Sequence, residues 1–296
     1  MPSNEQRRAA AKRKLERQLE RRAEQERKRK RLMIAGSVLG VIVVAAAITG
    51  VYFLTKGDDS ADTTASDVPT TPFVNTPLDL PGPPAPAARA ATVDCAYPAS
   101  QEPAAKPATA PGATGVAATG DTAVAITSSQ GPIGLTLKAA QAPCTVNSFV
   151  SLAKQGYFDK TSCHRIVATK GFGILQCGDP TATGMGGPGY SFDNEYPTDQ
   201  YPAGDPAAQQ PLNYQRGVVA MANAGTGPDG KGTNGSQFFL VFGDTKLPPQ
   251  YTIFGTIDEA GLKTLDKVAG AGDDGSNGPG DGQPNMPIKL ETVKIG

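Results

Sequence analysis

The sequence predicts a mainly β domain, a closed barrel with two helices over its ends, set behind one membrane-spanning helix and a disordered linker. Three observations lead there. From about residue 121 onward, short apolar or alternating runs recur between clusters of Gly, Pro, Asn and Asp. Within that part only two well-separated stretches carry helical spacing. Upstream, Leu32 to Leu54 is 23 residues without a charge, enough to span a bilayer core at ~1.5 Å per residue.

Residues 1–31 hold 13 basic and 5 acidic side chains, although Lys+Arg and Asp+Glu both total 28 over the whole chain. Glu and Arg alternate at three- and four-residue spacings among helix formers, so a charged helix without an apolar face is predicted, a topogenic segment or a helix lying on anionic lipid. The basic block before residues 32–54 and Asp58, Asp59, Asp62 and Asp67 after them place the N-terminus in the cytoplasm and the rest outside. A cleaved signal peptide is the rival reading, with Ala45 to Ala47 as small residues for cleavage; the length of the apolar run favours a signal anchor that contacts membrane lipid. The remaining chain is acidic on balance, which argues against nucleic acid as a partner of the folded part.

Residues 55–120 are dominated by Pro, Ala, Thr, Ser and Asp, with little to bury, and read as an extended, partly polyproline spacer. Cys95 is the exception, since a lone sulfur outside the cell calls for a partner that would pin this arm to the domain.

The folded domain is placed at 121–296. TAVAITSS and PIGLTLKA form a hairpin around a QG turn. A helix begins at Pro143, buries Val146, Phe149, Val150, Leu152 and Ala153, and stops at Gly156. SCHRIV and FGILQCGDP are the next strands, separated by Thr-Lys-Gly. After a polar excursion over 191–214, Val218 to Ala222 and Phe238 to Phe242 are apolar runs flanking a long Gly/Asn/Thr/Ser loop, a length that points to a binding feature. PPQYTIFGTI is a strand, DEAGLKTLDKVAG a helix with Leu262, Leu265 and Val268 on one face, Asp273 to Gln283 a flexible loop, and IKLETVKI the closing strand.

In order, HRI (164–166), LQCGDPTATGMGG (175–187), GVVAMANAG (217–225), TNGSQFFLVF (233–242) and YTIFGTI (251–257) make the chain resemble the cyclophilin family of peptidyl-prolyl cis/trans isomerases over 121–296. The resemblance implies an eight-stranded antiparallel barrel capped by two helices, with the site on its outer face. It implies isomerisation of X-Pro bonds in proline-containing polypeptides, without cofactor or metal, and the predicted membrane topology sets these polypeptides outside the cytoplasm. Position by position, it makes Arg165 catalytic and Gln176 its neighbour. Ile174, Phe239 and Leu247 become walls of the proline pocket, and Gly184, Ala222, Asn223, Ala224 and Gln237 a groove for the flanking peptide. The aromatic that the family places near Ile174 falls on Gly173, with Phe172 beside it as substitute. Lys246 and Tyr251 stand where many eukaryotic members have Trp and His, which implies weak binding of cyclosporin. The loop through Gly227 to Gly232 is also longer than is usual in the family.

Other motifs are read blandly. His164, the only histidine, has no nucleophile motif or acidic partner around it and reads as structural. The GxG repeats lead into no apolar helix, and DDGSNGPGD lacks the terminal Glu of a calcium loop. Cys95, Cys144, Cys163 and Cys177 favour two disulfides, with three connectivities open. Cys163 to Cys177 would brace Arg165 and Gln176, but strand parity sets them on different faces unless a bulge intervenes. Two other functions compete: a non-catalytic peptide-binding or chaperone module on the same scaffold, and an external sensor serving the basic N-terminus.

Overall fold

The computed structural model of the protein describes residues 73–202, 204–225, 227 and 232–296. The charged helix expected over 1–31, the apolar span 32–54 and linker residues 55–72 lie outside the described residues. Among the described residues no helix is long and apolar enough to cross a membrane.

β1 (Thr92–Val93) and β2 (Val116–Ala117) pair with each other alone. β3 (Asp121–Ser128) and β4 (Gly131–Lys138) form the expected hairpin, burying alternate residues Val124, Ile126, Ile133, Leu135 and Leu137. α1 (Pro143–Lys154) starts on its proline and buries Val146, Phe149, Leu152 and Ala153. It has no side-chain cap of its own. Instead Glu195, distant in sequence, accepts from the N–H groups of Cys144 (3.0 Å) and Thr145 (2.8 Å), satisfying donors that a helix start leaves unpaired. The helix ends as predicted: Gly156 takes φ +66°, its N–H reaches Ala153 O, and the Tyr157 N–H reaches Leu152 O, the paired bonds of a Schellman stop.

β5 (Thr161–Ser162), β6 (Arg165–Thr169) and β7 (Phe172–Cys177) come next, then β8 (Leu212–Tyr214), β9 (Val218–Met221), β10 (Phe238–Gly243), β11 (Thr245–Leu247) and β12 (Ile253–Ile257). α2 (Glu259–Gly270) is capped by Asp258, which accepts from the Gly261 N–H at 2.7 Å, and buries Leu265 and Val268. β13 (Asp281–Gly282) and β14 (Lys289–Ile295) complete the chain.

The main sheet has ten strands in the order β13-β6-β7-β10-β9-β12-β4-β3-β14-β5, curled into a half-barrel, and this corrects the closed eight-stranded barrel. Every predicted run is a strand, but one run divides. At Cys163 and His164 the chain changes neighbours: the Cys163 N–H donates to Ile288 O at 3.0 Å and the His164 N–H to Gln176 O at 3.1 Å. β5 and β6 therefore lie toward opposite ends of the sheet, joined by the chain itself. The tenth strand, β13, comes from the stretch read as a flexible loop, whose Gly/Asp composition carries no strand propensity.

The interior is aromatic at its centre. Phe149 of α1 stacks on Phe158 at 4.8 Å and meets Phe238 and Phe254 at 5.3 and 5.5 Å between centroids. Such rings each contribute roughly 1.5–3 kcal/mol through burial.

The second correction concerns the linker. From Phe73 onward it is not a free spacer but lies along the domain. Phe73 meets Phe242 edge-on at 4.8 Å, Asn75 Oδ1 accepts from the Asp244 N–H at 2.8 Å, Pro81 O accepts from the Asn213 N–H at 2.9 Å, and Pro84 O from the Tyr196 hydroxyl at 2.9 Å. Further on, Cys95 is bonded to Cys144, the Tyr97 hydroxyl donates to Cys144 O at 2.7 Å, and Lys106 Nζ donates to the carbonyls of Gly156, Tyr157 and Asp159. The arm thus holds both ends of α1. Its composition rules out a core of its own, but extended Pro-rich backbone leaves its carbonyls free for external donors, as at Pro81 and Pro84, and its side chains supply the other contacts.

Candidate active site

Strand period separates two apolar clusters. On β6, β7 and β10, Ile166, Leu175, Phe238 and Leu240 face the interior, whereas Val167, Ile174, Phe239 and Val241 belong to a second cluster on the opposite face. That cluster also holds buried Tyr196, Leu212, Tyr214, Ala220 and Ile253, and is edged by half-buried Phe172, Val218, Ala222, Leu247 and Tyr251. Pairing register aligns its polar border. Arg165 lies opposite Gln176, Gln176 opposite Phe239, and Phe239 opposite Ala220. Arg165, Gln176 and Phe239 therefore form one row across three strands, a guanidinium and an amide beside an aromatic ring.

The remaining predicted residues gather around this row. Phe239 and Tyr251 meet edge-on at 5.9 Å, and the buried Tyr214 hydroxyl holds the preceding turn, its one proton shared between Pro248 O (3.1 Å) and Tyr251 O (3.0 Å). Gln176 Nε2 donates to Gln237 Oε1 at 2.9 Å, and Gln237 Nε2 donates to Gly184 O (2.9 Å) and Gly186 O (3.0 Å). Gly184 has φ +81°, a left-handed conformation that suits glycine, and its N–H reaches Asp179 Oδ2 at 2.7 Å. Burial works against the Asp179 charge, but hydrogen bonds from Thr181, Gly184 and Gly186 outweigh it and keep the carboxyl below its ordinary value. The Asn223 side chain is spent on the rim: Nδ2 donates to Gln250 O at 2.9 Å and Oδ1 accepts from the Gly225 N–H at 2.9 Å. Ala224 is tied through its N–H to Thr233 Oγ1 at 2.9 Å.

Phe172 shares its strand face with Ile174 and Gln176 and packs on the second cluster. Gly173, where the family aromatic aligned, faces the other way: a Cβ there would come within 2.8 Å of Gly243 Cα and 3.0 Å of the Phe73 ring. The arm occupies that space, and the aromatic ring on the opposite face belongs to the neighbouring Phe172.

Arg165 is held by Asp281 of β13: Nε donates to Oδ1 at 2.8 Å and Nη2 to Oδ2 at 2.6 Å. These bonds hold Asp281 below the usual carboxylate range and raise Arg165 further. Residues 123–295, more than half of the chain, match the family model described as cyclophilin type peptidyl-prolyl cis-trans isomerase/CLD. The chain belongs to the cyclophilin family.

Among relatives, the probable peptidyl-prolyl cis-trans isomerase B of Mycobacterium leprae (strain TN) is 49% identical over 304 residues, covering 100% of both chains. Its namesake in Mycobacterium tuberculosis (strain ATCC 25618 / H37Rv) is 49% identical over 203 residues, 68% of this chain and 64% of that protein. A crystal structure of a cyclophilin type isomerase from Cryptosporidium parvum is 32% identical with a TM-score of 0.46, covering 60% of this chain and 98% of that one.

Several features of this cyclophilin's site escape sequence reasoning. Asp281 sits 116 residues from Arg165 in sequence, in a stretch read as flexible. Tyr196, Leu212 and Tyr214 come from the polar excursion 191–214, where isolated aromatics give no periodic signal. The cysteines pair as Cys95–Cys144 and Cys163–Cys177. The parity objection to the second pair fails because Cys163 precedes the strand that faces β7. His164 is largely buried and its Nδ1 has no partner. Burial lowers its pKa, with Asp179 opposing this and Arg165 adding to it, which favours the neutral ring.

Proposed function

We propose that this cyclophilin lowers the barrier to X-Pro rotation by hydrogen bonding from Arg165 to the prolyl nitrogen of a chain seated on the second apolar cluster. The cross-strand row of Arg165, Gln176 and Phe239 is the observation that supports this most directly. Rotation about the amide must cross ~18–20 kcal/mol because conjugation gives the C–N bond partial double-bond character. In the twisted state the nitrogen turns pyramidal and its lone pair becomes an acceptor, so a fixed, permanently charged donor binds that state better than the planar one. The ring would rest between Phe239, Ile174, Phe172 and Leu247, while the backbone around Ala222, Asn223 and Ala224 would receive the preceding residues. No bond to the enzyme is made or broken. Arg165→Ala in the full chain should lower kcat on a proline tetrapeptide by about 10²–10³, the cost of removing one transition-state donor; wild-type kcat in that variant refutes the mechanism.

We further infer that the domain serves proline-containing polypeptides outside the cytoplasm, anchored through 32–54. The basic block before that run supports the orientation, and two disulfides with no free cysteine support an oxidising compartment. Protease added to intact cells should digest the domain and spare an N-terminal tag. The reverse pattern refutes this placement.

A further inference from the structure

We propose that Asp281 is a positioning residue for the isomerisation: its carboxylate fixes the Arg165 guanidinium so that the Nη1 edge is presented to the prolyl nitrogen. This rests on the reading of Arg165 as the acting donor. A guanidinium carries five N–H groups in a rigid plane. The bidentate bond to Asp281 uses Nε and one hydrogen of Nη2, leaving both hydrogens of Nη1 and one of Nη2. Gln176, the cross-strand neighbour, is turned toward Gln237, its Nε2 donating to Oε1 at 2.9 Å, and makes no hydrogen bond to the guanidinium. Among the described residues Asp281 is the only hydrogen-bond partner of the Arg165 side chain.

The carboxylate is itself held. β13 pairs only with β6, setting Asp281 opposite Val167 and Gly282 opposite Ile166, and the Ala168 N–H donates to Gly280 O at 3.0 Å. Acceptor and donor thus ride on adjacent, hydrogen-bonded strands. Asn277 Nδ2 donates to Asp281 Oδ1 at 3.1 Å, and the Asn277 N–H to Asp281 O at 3.0 Å. Asp274 then gathers the loop, accepting from the N–H groups of Ser276 (3.0 Å) and Gln283 (2.8 Å). A Cβ on Gly282 would lie 2.2 Å from Asp274 Oδ1, so the residue after Asp281 must be small. A partly exposed pair, with side chains 34% and 22% accessible, adds little to stability. What it supplies is orientation, and rate depends steeply on orientation.

The test uses the full chain in detergent, with kcat and KM measured separately on a proline tetrapeptide for wild type, Asp281→Asn, Asp281→Glu and Arg165→Ala. Asp281→Asn should lower kcat by about 10–100-fold, the order expected for ångström-scale misplacement, with KM unchanged. Asp281→Glu should restore part of the loss. The Arg165 Nε–Hε resonance should be sharp and protected in wild type and averaged in Asp281→Asn. This signal needs no variant to be informative: a freely rotating Arg165 in wild type overturns the proposal. So does wild-type or raised kcat in Asp281→Asn while Arg165→Ala is inactive. If Arg165→Ala keeps wild-type kcat, the reading of Arg165 itself has failed, and the inference falls with it.

Discussion

Two stretches look equally loose in sequence, the Pro/Ala-rich arm 73–120 and the Gly/Asp-rich loop 273–283, yet they are ordered by different means and for different ends. The arm is fixed from outside itself, by a disulfide, a lysine set over three carbonyls and an aromatic contact with the domain. The loop is fixed largely from within, by Asp273 and Asp274 side chains turned onto its own backbone, and joins the sheet through a two-residue edge strand. One grips a helix, the other the guanidinium. Low apolar content therefore excludes an independent core but says nothing about docking onto one.

If that division is right, damage to the arm should cost stability and damage to the loop should cost rate. Replacing Cys95 and Cys144 together by Ser is expected to have the largest effect, ~2–4 kcal/mol for a bridge closing a long loop. It should be measured by urea unfolding, with kcat unchanged well below the melting temperature; a loss of kcat without loss of stability would reverse the comparison. Lys106→Met removes charged donation to three carbonyls at the end of α1 and should cost ~1.5–3 kcal/mol, again without a change in kcat. In the loop, Gly282→Ala should destabilise by only about 1 kcal/mol while lowering kcat, since the new methyl displaces Asp274 and with it the strand carrying Asp281.

The smallest effect concerns acid. Arg165 holds Asp281 low, and hydrogen bonds hold Asp179 low against burial. Depressed carboxyls contribute stability that is complete above their ordinary pKa of ~3.9 and is lost as pH falls through their folded values. Urea midpoints measured from pH 6 downward should decline below that range, less steeply in Asp281→Asn. An unchanged slope would remove Asp281 from the acid response.

The contrast also explains what could be read in the chain. Period-two runs such as those around Ile126, Leu135 and Val293 betray their strands because one face must be dry, and Arg165, Ile174, Gln176 and Phe239 share a face for the same reason. Phe172 joins them although it aligned one place away from the family aromatic. Asp281 was invisible, since nothing local distinguishes a carboxylate that meets an arginine across the fold from one that meets water. The same holds for Glu195, which caps a helix it does not belong to, and for Cys163, whose partner depends on where a strand changes neighbours.

The Cys163–Cys177 bond makes β6, its turn and β7 a covalent ring with a sequence separation of 14. A pull on the two ends of the chain passes through the sulfurs and bypasses the ring. Arg165, Phe172, Ile174 and Gln176 all lie within it, so these four residues carry no load along the chain, whereas Phe239 and Leu247 lie outside it. A single backbone cut between those cysteines would also leave its two pieces joined.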